Sequence, residues 1–141
     1  MSRTTARKHA FILIFQAEFH EEQYHEELVQ RYIEEIDELE KTTKSDKEFI
    51  QDEFKNTMLH KNAIDELIDK CSVSWTVSRL SKVDLAILRL CINEIMFFED
   101  IPEKVSINEA IELAKEFSSD EAPTFINGVL GKISDGKELI G

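Results

Sequence analysis

Apolar residues recur along this chain with a helical period. Ala6, Ala10, Leu13, Ile14 and Ala17 stand three and four apart. That spacing predicts a first helix over about residues 4–19, capped by Thr4 or Thr5. Phe11, Ile12 and Phe15 widen the stripe until little polar surface is left, as in a helix touched from several sides. A polar break at residues 20–23 leads to a second helix over about 24–39, with Leu28, Tyr32, Ile36 and Leu39 on its buried face. Ser45 and Glu48 have the S-x-x-E spacing of a capping box, in which two side chains satisfy free backbone donors at a helix start. Behind them Phe49, Ile50, Phe54 and Met58 mark the core of a third helix. Ile64, Leu67, Ile68 and Cys71 continue its pattern to about residue 70, past a break at His60.

Residues 72–81 read as a connector holding a short helical piece, with Trp75 expected as a core plug and Arg79 beside it. Ser81 and Asp84 form another capping box. Residues 85–98 are apolar nearly all round, broken by Arg89, Asn93 and Glu94. Such a helix is buried in the middle of its protein. Arg89 there needs a carboxylate, and Glu94 and Glu109 are the candidates. After Pro102, a Ser106–Glu109 box opens a helix with Ile107, Ala110, Ile111, Ala114 and Phe117 on one face. Pro123 suits the first turn of the last helix, whose face is Ile126, Val129, Leu130 and Ile133. Gly128 lies inside that helix, where Gly costs about 1 kcal/mol relative to Ala. Close approach of another helix is the expected reason. Gly136 is expected to end the helix near residues 134–135. The pattern predicts an all-α fold of about seven helices in two packed bundles. Residues 1–71 form a three-helix bundle, residues 72–136 a bundle around the 85–98 helix, and residues 137–141 a tail.

Composition narrows the picture. Four Gly and two Pro in 141 residues are too few for a sandwich or barrel with many tight turns. No apolar run reaches the roughly 20 residues that cross a bilayer, and no secretory signal is expected at the N-terminus. Cys71 and Cys91 both sit among apolar residues and read as unpaired, buried small hydrophobes, which fits a cytoplasmic chain.

The net charge of -12 argues against nucleic-acid binding when taken alone. Its distribution changes that reading. Residues 1–17 hold Arg3, Arg7 and Lys8 and no acid, whereas residues 18–53 hold 14 acids and four bases. A small basic tip on an acidic body marks an interaction end.

Candidate chemistry is sparse. There is no phosphate-binding Gly-rich loop and no nucleophile elbow. Glu22 and His25 match the Glu-x-x-His pair of di-iron bundles, but the second pair and the further carboxylates such a site needs are missing. No metal, no cofactor and no enzymatic activity are expected, and the chain reads as a binding module.

The run VSINEAIELAKEF followed by FINGVLGKI, with Trp75, Arg79 and VDLAILRLCINEI upstream and Ala6-Arg7 at the N-terminus, resembles the NusB family of bacterial transcription antitermination factors. The resemblance is specific over residues 79–133 and rests on helical pattern alone over residues 20–70. It implies a two-bundle helical fold. It also implies binding to the boxA segment of nascent ribosomal RNA leaders together with the ribosomal protein NusE, within an antitermination complex on RNA polymerase. By the same resemblance Arg3, Arg7 and Lys8 are expected to meet RNA phosphates, Phe125 an unpaired base, and Glu121 the RNA edge. Phe125 could equally pack on Val129, and Glu121 could be a bare solvated acid. Phe15 and Asp84 match positions that meet NusE. Richer members carry arginines where this chain has Thr4 and Thr5. Family precedent includes homodimers, and the residues do not choose between monomer and dimer. The alternative reading is a NusB-like protein-interaction scaffold with weak or lost RNA binding.

Overall fold

The computed structural model describes residues 1–72 and 76–140, without the side chains of 137–140. Trp75, expected as a core plug, lies outside the described residues. Every regular element among the described residues is helical: α1 (Arg3–Ala17), α2 (His25–Leu39), α3 (Lys44–Leu59), α4 (Lys61–Cys71), α5 (Lys82–Phe97), α6 (Glu103–Phe117) and α7 (Ala122–Ile140), with short 3-10 turns at Glu22–Tyr24 and Val77–Arg79. The fold is all-α, as the periodicity predicted.

The chain divides into two compact units, Met1–Met58 and Leu59–Gly141. The sequence had suggested a division after residue 71. The difference arises at His60, whose backbone (φ -101°, ψ 9°) leaves the helical conformation. The expected third helix is thereby split into α3 and α4, and α4 packs on α5 and α7.

In the N-terminal unit α1 packs on α2. Ala6, Ala10, Leu13, Ile14 and Ala17 of α1 are buried, as the spacing required. The cap is Ser2, whose Oγ accepts the Thr5 N–H, rather than Thr4 or Thr5. On α2 the buried residues are Ile33 and Ile36, while Leu39, expected inside, is 85% exposed. His25, half of the Glu-x-x-His match, has its Nε2 3.1 Å from the carbonyl oxygens of both Ala17 and His20. That ring caps the free end of α1, which explains a His at this position without a metal. Tyr32 OH lies 2.6 Å from His9 Nδ1. Burial, with the charge of Glu35 added, pushes this phenol up to about 12. The α3 capping box is formed by Thr43 and Asp46, not Ser45 and Glu48. Thr43 Oγ1 accepts the Asp46 N–H (3.0 Å) and Asp46 Oδ2 accepts the Thr43 N–H (2.9 Å).

In the C-terminal unit every residue of α5 from 85 to 95 is buried, as an all-round apolar helix demands. α4, α6 and α7 pack around it. Arg89 forms a two-pronged ion pair with Asp65 of α4, Nε to Oδ1 and Nη2 to Oδ2 both at 2.9 Å, a partner that the sequence pattern did not offer. Glu94, fully buried, accepts from Ser106 Oγ at 2.7 Å. Ser106 is therefore a buried residue in the second turn of α6, and the helix starts earlier than its expected box, behind Pro102. On α7, Ile126, Val129, Leu130 and Ile133 are all buried, and the helix runs past Gly136 to Ile140. Neither Cys71 nor Cys91 forms a disulfide among the described residues; Cys91 is buried and Cys71 half-buried.

Gly128 is exposed, and a Cβ placed there would meet nothing within 4 Å. No neighbouring helix among the described residues explains it. Gly128→Ala is accordingly expected to stabilise the protein by roughly 0.5–1 kcal/mol, seen as a raised urea midpoint with an unchanged m value.

Candidate nucleic-acid interface

The cations of the expected basic tip are partly engaged within the N-terminal unit. Arg3 is exposed. Its guanidinium carbon lies 4.4 Å from the centre of the Phe49 ring, and its Nη2 donates to Ser45 Oγ at 3.1 Å. Arg7 reaches the same ring at 5.6 Å and is only 5% exposed. Both distances fall within the range of cation–π attraction. Lys8 is half-buried. The terminal amino group of Met1 is 3.2 Å from Asp46 Oδ2. The Thr43 backbone N–H, helped by this amine, holds the Asp46 carboxyl below the usual carboxylate range. A buried acid from α3 thus sits against the cationic start of α1. The acid-free count over residues 1–17 could not reveal it, because Asp46 arrives from 45 residues away.

Phe15, expected to meet a partner protein, is half-buried on α1. It meets Phe19 edge to face, with centroids 5.2 Å apart and planes at 70°. Phe19 is 62% exposed, so the pair forms an aromatic step at the C-terminal end of α1. The four-residue separation of the two rings was the available signal for Phe19.

The remaining candidates gather in the C-terminal unit. A groove of about 400 Å³ is lined by Arg79, Leu80, Ser81 and Asp84 on one wall and by Ser119, Glu121, Ala122 and Phe125 on the other. Local rules build both walls. Ser81 caps α5 by accepting the Asp84 N–H at 3.1 Å. That leaves the Asp84 carboxylate free to turn across, where it accepts Ser118 Oγ–H at 2.5 Å. The turn at 119–121 feeds directly into α7, with Ala122 N–H bonded to Ser119 O and Phe125 N–H to Glu121 O. Phe125 therefore stands on the first turn of α7, half-buried, one helical turn from the core residue Val129. Glu121 is exposed at the lip.

Asp84, Glu121 and Phe125 are thus brought to a single groove, while Arg3, Arg7, Lys8 and Phe15 belong to the N-terminal unit. Arg79 and Ser119 also line the groove and were not among the expected site residues. Arg79 had appeared only as part of the sequence signature.

Residues 4–135 match the NusB family. The chain belongs to the NusB family. The transcription antitermination protein NusB of Agathobacter rectalis is 42% identical over 134 residues, spanning 95% of this chain and all of that protein. The structure of T. maritima NusB superposes with a TM-score of 0.83 at 35% identity, covering 96% of this chain and 92% of that one. A crystal structure of antitermination factors NusB and NusE in complex with dsRNA superposes with a TM-score of 0.83 at 25% identity, covering 95% and 96% of the two chains. NusB-family membership thus extends across residues 20–70, where the sequence pattern alone was least specific. No helix among the described residues is long and apolar enough to cross a membrane.

Proposed function

We propose that this chain is a cytoplasmic transcription antitermination factor that binds boxA RNA of ribosomal RNA leaders together with the ribosomal protein NusE, and so helps RNA polymerase read through terminators. Its role is binding, without catalysis or cofactor. The observation that carries the reading is the C-terminal groove, where an aromatic ring on the first turn of α7, an exposed carboxylate and an arginine meet. Single-stranded RNA is usually read by stacking unpaired bases on aromatic rings and bonding to their edges. In this reading Phe125 stacks a base, Glu121 accepts from base N–H groups, and Arg3 and Lys8, with Arg7 behind them, attract phosphates. Phe15 and Asp84 contact NusE.

The test is filter binding of boxA RNA with NusE present. Affinity is expected to fall with salt at a log-log slope of about -2, as for roughly three neutralised phosphates on a single strand. An absence of binding at low salt would reject the proposal. A scaffold with weak RNA binding is the second reading, favoured by the burial of Arg7 and the net charge of -12. Under it Arg3→Glu leaves both NusE affinity and antitermination unchanged. Under the first reading Arg3→Glu lowers RNA affinity and antitermination.

A further inference from the structure

We infer that Arg79 is the phosphate contact of the C-terminal groove, so that the groove seats a whole nucleotide of single-stranded RNA and not a base alone. The inference rests on the RNA-binding reading above and adds to it a residue and an orientation.

The groove-lining residues include one cation and two carboxylates. Arg79 is exposed at the end of the Val77–Arg79 turn, two residues before the Ser81 cap of α5. That turn is held at both ends. Val77 N–H donates to Asp69 Oδ1 at 2.8 Å, and Arg79 N–H donates to Thr76 O at 2.9 Å. The backbone that carries the guanidinium is therefore fixed, which lowers the entropy lost when it grips a ligand. On the same wall the Asp84 carboxylate is occupied by Ser118 Oγ, which moderates its repulsion of an anion. The opposite wall carries Glu121, exposed at the lip beside the Phe125 ring. A phosphate is repelled by Glu121 and attracted by Arg79. A base is the better neighbour for Glu121 and Phe125, through its N–H donors and its π face. Charge thus orients the nucleotide, with phosphate to the α5 wall and base to the α7 wall. The volume, about 400 Å³, lies in the range of small-ligand sites. The basic start of α1 offers little to a phosphate, since Arg7 is buried and Lys8 half-buried.

The experiment measures binding of boxA RNA with NusE over a salt series for the wild type, Arg79→Ala, Arg79→Lys and Phe125→Ala, each checked by thermal melting. Arg79→Ala is expected to weaken binding roughly tenfold at low salt, equally for different RNA sequences, and to flatten the salt slope by about 0.7. Arg79→Lys, which keeps the charge, is expected to retain the wild-type slope. Phe125→Ala is expected to weaken binding without changing the slope. An Arg79→Ala protein that melts as the wild type does and keeps its slope overturns the inference. So does a folded Arg79→Lys protein whose slope drops as for Ala, because a point charge then fails to replace the guanidinium. If Arg79→Ala does not fold, Arg79→Gln, which keeps the length and removes the charge, takes its place, with the same flattened slope expected and the same unchanged slope overturning the inference. A wild type that binds no RNA overturns the functional reading as well, whereas failure confined to the Arg79 variants leaves that reading standing.

Discussion

Phe125→Ala is expected to weaken binding of boxA RNA by about 1–3 kcal/mol, roughly 5- to 150-fold, the usual range for removing one base-stacking ring. The ring is half-buried at the start of α7, and the helix behind it is anchored by Ile126, Val129, Leu130 and Ile133, all buried. The protein should therefore remain folded when the ring is lost. Phe125→Tyr and Phe125→Trp preserve a flat face and are expected to restore most of the affinity. Fluorescence anisotropy of a labelled boxA strand, with NusE present, measures all three. Equal affinity of Phe125→Ala and wild type would mean that the ring serves only to cover the core.

Asp65→Ala is expected to lose about 3–5 kcal/mol of stability, because it leaves the Arg89 charge inside the protein without its two-pronged partner. Arg89 is 4% exposed and sits in the fully buried stretch of α5. For a domain whose total stability is about 5–15 kcal/mol, that is a large fraction. The double substitution Asp65→Leu with Arg89→Met removes both charges and is expected to recover most of the loss. Urea unfolding of the two variants separates the cases. A single variant within about 0.5 kcal/mol of wild type would show that other contacts of Arg89 carry the charge.

The helices were readable because their apolar faces are periodic. Ile126, Val129, Leu130 and Ile133 on α7 and the α1 stripe are buried as spaced. Partners chosen across the fold were not readable. Arg89 had an acid at 94 on its own helix and another at 109 on α6, yet it pairs with Asp65, which is displayed by a helix that the sequence merged with α3. Capping boxes illustrate the limit of local patterns. Ser81 caps as its spacing says. Ser45 loses to Thr43 two residues earlier, because Asp46 supplies the reciprocal carboxylate and is itself held by Met1. Ser106 is drawn into the interior by Glu94. The groove was half legible. Phe125, Glu121 and Asp84 were singled out by a family signature, while Arg79 becomes a candidate only once the turn before α5 is seen to face the start of α7.

If the chain binds RNA and NusE as proposed, the hydrogen bond from Ser118 to Asp84 links the two events. The bond ties the residue before the 119–121 turn to the first turn of α5, and its acceptor is the acid proposed to contact NusE. Whatever claims that oxygen must compete with the serine, so docking at one wall slackens the strap that sets the pose of the other. Two ligands that touch no common atom would then still sense each other through a single hydroxyl.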